Sequence, residues 1–315
     1  MNRKDIERLL SHWHMSFGDF IPHAECYGSP ERSQFRCVLK NTNDDLYLLE
    51  QLRDDNVNRK NRIAQNLALL KNSNPKLPIH PYCRIPSSLW VLEIDQQYWM
   101  LSPYIPATPL HRPAYLEDAW RGVLYAQFLL ELRHSAESCA GMDQSKFLPK
   151  LETYILSLAE TIEVNEIALH NQLKPLIHHL KQNFFPLLPL LPHSFSHGDC
   201  HPLNLLWENK NLCAVIDWEF SGFHPELYDL ANLIGCLGME HPSALEKEIS
   251  LLLIKIVKNA HIHSTCSWES FLDLVLAIRF AWLSEWLRKK DKEMIALEVC
   301  YMNLLKDNAS IIKKL

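Results

Sequence analysis

Short apolar, β-branched and aromatic runs fill the first hundred residues. Past Pro103, Pro106, Pro109 and Pro113 they give way to long stretches with helical spacing. This one change of period divides the chain, because strand and helix patterns cannot be satisfied by the same kind of element. Residues 3–13 open as an amphipathic helix, and 24–28, 34–40 and 46–52 read as strands. Asn41-Thr42-Asn43-Asp44-Asp45 supplies turn chemistry between the last two. Residues 57–72 space Ile63, Leu67 and Leu70 for one helical face. LWVLEID and QYWMLSPY, joined at Asp95-Gln96-Gln97, bring the first segment to about five strands and one helix. Helices are then expected at 115–137, 146–160, 164–184, 226–237, 243–260, 268–290 and 291–312. One break interrupts them at 191–222, where LNLLWE and LCAVIDWE read as short strands around Asn209-Lys210-Asn211. The fold class is α+β: a sheet-rich small lobe over 1–102, a proline-marked hinge, and a helical lobe over 103–315.

A chain of 315 residues, 47% of them hydrophobic, exceeds the size at which one core usually stops growing, in keeping with two lobes. The net charge of -5 offers no broad attraction to nucleic acid or to an anionic membrane, so neither is expected as a partner. The opening MNRKDIERLLSHWHMSF is broken by charges and does not read as a secretory leader. ISLLLIKIVK is too short to span a bilayer of about 30 Å. Nine scattered cysteines without a Cys-x-x-Cys pair point to reduced thiols and a cytoplasmic setting. Eight glycines cannot assemble a Gly-rich dinucleotide fingerprint.

Chemistry concentrates in His197-Gly198-Asp199-Cys200-His201-Pro202-Leu203-Asn204. There a carboxylate precedes an amide by five positions, and Asp217 follows the amide by thirteen, after an apolar strand. A transferring phosphoryl group carries dense negative charge, so hard oxygen ligands must hold Mg²⁺ while leaving room for phosphate and water. The spacing suits Asp199 as catalytic base or hydroxyl orienter, with Asn204 and Asp217 as metal ligands.

HGDCHPLNLLW followed by VIDWEFSGFHPELYDLAN resembles the aminoglycoside phosphotransferase and choline kinase family. The family's pattern reads roughly HGDxxxxN, then IDWE or IDFE, then DLA. The resemblance implies a two-lobed protein-kinase-like fold with a small antiparallel-sheet lobe, ATP and Mg²⁺ as cofactors, and a small-molecule hydroxyl as acceptor. It further implies that Asp229 braces the catalytic loop. Glu219 is either substrate-facing or structural. Pro103, Tyr104 and Ile105 would present backbone to adenine over an apolar floor of Leu206 and Ile216. Trp282, Glu285 and Trp286 either line the acceptor site or form a Trp-rich core helix. The acceptor stays open among a sugar or amino sugar, an amino alcohol, a homoserine-like amino acid and an aminoglycoside.

The same resemblance exposes departures. Kinases place a lysine on the third strand to meet the phosphates, paired with a glutamate on the next helix; here Glu50 occupies the strand position. Either the pair is inverted, with Lys60 or Arg62 reaching the phosphates from the helix, or the loss is tolerated, or Glu50 is a strand carboxylate without a role. The phosphate loop has one glycine, leaving Ser29, Arg32 and Ser33 as candidate contacts. Glu50 also motivates an alternative: a non-catalytic member of the same fold that binds nucleotide or a partner. His193, His197 and His201 beside Cys200 would suit zinc on a helix, but Gly198 and Pro202 oppose a helix there. Cys200 reads as a packed thiol or a redox sensor.

Overall fold

Asn2 starts the first helix with a reciprocal cap: its side chain accepts from the Asp5 amide, and the Asp5 carboxylate accepts from the Asn2 amide. The computed structural model describes residues 2–22, 24, 33–87, 89–142 and 151–307. Helix α1 (Arg3–Ser11) buries Ile6, Leu9 and Leu10 against Trp13, Phe17, Leu39, Leu49, Trp99 and Leu101. The last five belong to an antiparallel five-stranded sheet of β1 (Phe17–Phe20), β2 (Ser33–Asn41), β3 (Leu46–Leu52), β4 (Leu92–Ile94) and β5 (Gln97–Pro103), in the order β1-β2-β3-β5-β4. Strand β1 had no counterpart among the expected strands, because four residues are too few to show an alternating pattern. Apart from Ala24, the strand expected at 24–28 lies outside the described residues, as do Ser29 and Arg32.

Turn chemistry sets the hairpin register. The Asn41 side-chain oxygen accepts from the amides of Asn43 and Asp45, while Asp44 takes a left-handed φ of 62°. Between β4 and β5, Asp95 and Gln96 are both left-handed, as a two-residue hairpin turn requires. Helix α2 (Val57–Ser73) contributes Ala64 to a second core with Leu52, Trp90, Val91 and Met100.

The later elements are α3 (Ala119–Glu137), α4 (Leu151–Asn165), α5 (Ile167–Asn183), β6 (His193–Ser196), β7 (Leu205–Glu208), β8 (Asn211–Val215), β9 (Gly222–Pro225), α6 (Tyr228–Glu240), α7 (Glu248–Asn259), α8 (Thr265–Glu269), α9 (Phe271–Lys289) and α10 (Lys292–Asp307). The expected helix at 268–290 divides at Ser270, because Ser264 caps a separate short helix by accepting from the Ser267 amide.

The chain packs as two units. One comprises Met1–Pro109, Ser135–Asp143 and Asn204–Glu219; the other comprises Leu110–His134, Gln144–Leu203 and Phe220–Leu315. The sequence suggested a single cut between 102 and 103, whereas the β7–β8 hairpin packs with the first unit. Backbone bonds hold it there, from Thr108 to the Trp207 carbonyl (2.9 Å) and from Val215 to the Pro78 carbonyl (2.7 Å). In the second unit, β6 and β9 form a two-stranded antiparallel sheet, and α6 packs on α9. Helices α9 and α10 are joined by Arg279, both of whose bonds to the Glu298 carboxylate measure 2.6 Å with neither side chain more than 1% exposed.

Candidate active site

The register of β7 and β8 pairs Leu205 with Val215, so Asn204 and Asp217 emerge at the same open end of that hairpin. The Ile216 amide donates to the Asn204 carbonyl at 3.0 Å and closes this end. Asp217 then turns at a left-handed φ of 60°, a conformation that costs a non-glycine residue about 1–2 kcal/mol. Buried Trp218 offsets part of that cost by donating its indole N–H to the Val215 carbonyl at 2.8 Å.

An open cleft lies in this unit, about 790 Å³ when the solvent-open space at its mouth is counted. Leu48, Pro103, Tyr104, Ile105, Leu206 and Ile216 give it an apolar wall, and Asp217 and Glu219 border it. The five residues expected around adenine therefore share one cavity, joined by Leu48. Tyr104 donates its amide to the Leu46 carbonyl (2.9 Å), so the N–H that Pro103 lacks is not supplied by Tyr104 either. Alternation along β3 explains the exposure of Glu50 to the cleft: Leu49 enters the core, while Leu48 and Glu50 face the opposite side.

Around Glu50 the structure assembles charges from four segments. Arg36, directly opposite on β2, reaches Glu50 Oε1 through Nη2 at 2.7 Å and Nε at 2.8 Å, and the Ser33 hydroxyl donates to the same oxygen at 3.0 Å. Lys60 on α2, 3% exposed, places Nζ 2.5 Å from Glu219 Oε1 and 3.7 Å from Glu50 Oε2. Arg59 donates to the Glu219 carbonyl and lies 3.5 Å from its carboxylate. Burial would raise the Glu50 carboxyl, but Lys60 and Arg36 outweigh it and hold it below its ordinary value. Burial would likewise lower the Lys60 ammonium, yet Tyr82 and the two carboxylates hold it well above its usual value. Ser33, the described member of the expected phosphate loop, is thus a partner of Glu50. Arg62 is half-buried on α2 and does not line the cleft.

The second unit holds the loop after β6. Gly198 adopts a φ of +81°, and a Cβ there would lie 2.0 Å from the Phe220 carbonyl oxygen, so backbone conformation and space both demand glycine. Asp229, near the start of α6, accepts from the amides of His197 (2.7 Å) and Gly198 (2.9 Å). Burial pushes its carboxyl up to about 6 against the opposing pull of these two bonds. The Asp199 amide donates to His197 Nδ1 at 3.2 Å, which leaves the ring proton on Nε2. His201 Nε2 lies 3.8 Å from Asp199 Oδ2, but burial, together with His197, Arg112 and Arg279, pushes this imidazole down to about 3. It is neutral near pH 7 and adds no positive charge beside Asp199.

His193, His197 and His201 run through a strand and a loop rather than a helix. Cys200 is fully buried, and burial beside Asp229 and Asp199 pushes its thiol well up, which removes the thiolate needed for redox reactivity. Trp282 stacks edge-on to His201 (5.3 Å) and donates to Asn232 Oδ1 at 3.1 Å. Trp286 donates to Glu298 at 3.1 Å. Glu285 is bound by Arg288 (2.7 Å) and Lys289 (3.0 Å) on its own helix, which lowers its carboxyl to about 2.

Arg36, Arg59, Tyr82 and Asn232 were not singled out from sequence. For Arg36 a signal existed: a hairpin centred on Asn43 pairs 36 with 50.

A family model described as Phosphotransferase enzyme family (APH) matches residues 34–250. Among solved structures, the chain resembles an amicoumacin kinase in complex with AMP-PNP, Ca²⁺ and Ami at 10% identity, TM-score 0.64, covering 98% of this chain and 94% of that one. It resembles the GDP complex of aminoglycoside 2'-phosphotransferase-IIIa at 17% identity and TM-score 0.64, covering 97% and 98%. A macrolide 2'-phosphotransferase from Brachybacterium faecium aligns at 13% identity and TM-score 0.58, covering 95% and 97%. At such identities these likenesses establish the two-lobed kinase-like fold. Comparison with curated protein sequences finds no match. Among the described residues, no helix is long and apolar enough to cross a membrane.

Proposed function

The chain belongs to the phosphotransferase enzyme family, and from that premise we propose that it moves the γ-phosphoryl group of ATP onto a hydroxyl of a small polar metabolite, with Asp199 as the base. The observation that carries this reading is the closed end of the β7–β8 hairpin, which brings Asn204 and Asp217 together beside an open cleft with an apolar wall. The carbonyl oxygen of an amide and a carboxylate are hard donors that fit Mg²⁺ and leave most of its coordination to phosphate and water. Bound magnesium neutralises charge on the phosphate oxygens.

In this scheme the apolar wall from Leu48 to Ile216 takes the base of the nucleotide. Asp199 orients the acceptor hydroxyl and receives its proton as the oxygen attacks the γ-phosphorus and ADP departs. Asp229 acts through the backbone, fixing the His197 and Gly198 amides so that Asp199 follows at a set angle. Glu219, bound by Lys60 and Arg59, is structural in this reading. Trp282 is a packing residue beside the loop, and Glu285 a surface ion-pair member. Most of the rate acceleration comes from positioning and charge stabilisation.

The test is magnesium-dependent turnover by wild type and Asp199→Asn against sugars, amino sugars, amino alcohols, homoserine-like amino acids, aminoglycosides and macrolides, with ATP binding measured in parallel. Turnover of one acceptor class, lost in the variant while ATP still binds, supports the reading and names the class. Tight ATP binding by the wild type with no turnover of any acceptor favours the non-catalytic alternative that Glu50 suggested.

A further inference from the structure

We infer that Arg36 is the cation that meets the nucleotide phosphates in this chain, and that Glu50 is the positioning residue that aims it. The inference rests on the nucleotide reading of the cleft given above. Residues directly opposite one another in an antiparallel pair project to the same face, and Arg36 lies opposite Glu50, which faces the cleft. The kinase arrangement is thereby reversed in sign: the third strand carries the carboxylate, and the cations come from the neighbouring strand and from α2.

Among the described residues two cations adjoin Glu50 and both line the cleft, and burial distinguishes them. The Lys60 side chain is 3% exposed and lies between two carboxylates, so extending toward a ligand would break its 2.5 Å pair with buried Glu219. The Arg36 side chain is 12% exposed and lines the cleft. Its planar guanidinium presents five N–H donors in a rigid fork, of which Nε and Nη2 meet Glu50 Oε1. This fork geometry matches phosphate oxygens better than an ammonium does.

The experiment is calorimetric titration of the full chain with magnesium-ATP and, separately, with adenosine, for wild type, Arg36→Met, Arg36→Lys, Glu50→Gln and the double variant Arg36→Met/Glu50→Gln. Arg36→Met is expected to weaken ATP by about 10- to 100-fold, the range of a charge-assisted contact, with adenosine changed less than about twofold. Arg36→Lys falls between, because it keeps the charge and loses the fork. Glu50→Gln also lowers the ATP-to-adenosine affinity ratio, and in the Arg36→Met background it lowers that ratio no further, as an effect exerted through Arg36 requires. Retained adenosine binding shows that each variant is folded. An unchanged ATP-to-adenosine ratio in Arg36→Met overturns the inference while leaving the nucleotide cleft intact. A wild type that binds neither ligand overturns the nucleotide reading itself.

Discussion

Replacing Lys60 by methionine removes a buried ammonium from between two carboxylates while keeping a side chain of similar length. At an effective dielectric of about 20, Coulomb attraction over 2.5 Å to Glu219 and 3.7 Å to Glu50 amounts to about 7 and about 4 kcal/mol. Several kcal/mol per ion of desolvation oppose this in the wild type. The variant loses the attraction while both carboxylates remain buried, so the net loss is set by the abandoned partners. Arg36 still covers Glu50 and Arg59 still covers Glu219, which puts the expected loss near the lower end of the range for breaking a buried pair, about 3 kcal/mol. Urea unfolding of wild type, Lys60→Met, Glu219→Gln and the double variant measures it, with the double expected to fall at least about 1 kcal/mol short of the summed singles. The pH dependence adds a second signature. Because the folded carboxyl of Glu50 is depressed, its contribution is present above the ordinary glutamate range and fades as pH falls through the folded value. Without Lys60 that depression shrinks, so the gap between variant and wild type narrows on acidification. A loss below about 1 kcal/mol, strict additivity, or a gap independent of pH would refute the reasoning.

Asp229→Asn should flatten a slope of opposite sign. The folded carboxyl, raised to about 6, contributes stability that is full below the unfolded value and lost as pH rises through the folded one. Thermal midpoints at pH 5 and 7 should therefore differ less in the variant than in the wild type, and equal differences would contradict the assignment. Glu298→Leu should cost about 3–5 kcal/mol by stranding buried Arg279, whereas Glu298→Leu with Arg279→Met should cost less than the single change. Thermal denaturation of both variants checks the order.

The parts of the site legible in the sequence are those written over short spans. His197 through Asn204 and Val215 through Glu219 are each contiguous, and the turn chemistry between their strands is local, so spacing alone suggested their proximity. The helices beyond residue 115 were legible for the same reason, since their periodicity repeats over several turns. What stayed hidden depends on pairing across distance. Lys60 finds Glu219 across 159 positions, and no periodicity encodes that partner. The β6–β9 pair consists of two four-residue strands whose polar and aromatic residues show no strong alternation. Arg36 is intermediate: its significance follows from the hairpin register, which the turn at Asn43 sets, but only once Glu50 is known to face a cleft.

The position of the β7–β8 hairpin bears on the order in which a ribosome can complete the molecule. The first unit consists mainly of residues emerging early, yet its cleft floor, Leu206 and Ile216, and its Asp217 arrive only after about a hundred further residues have been made. At about 5–20 residues per second, Thr108 waits on the order of 5–20 s and Pro78 on the order of 7–27 s for their hairpin partners. During that interval the nascent sheet presents an unfinished apolar surface to its surroundings. A fragment ending at Pro109 should accordingly bind a hydrophobic dye that the full chain does not, and a fragment that excludes the dye would show that the early unit closes on itself without the hairpin.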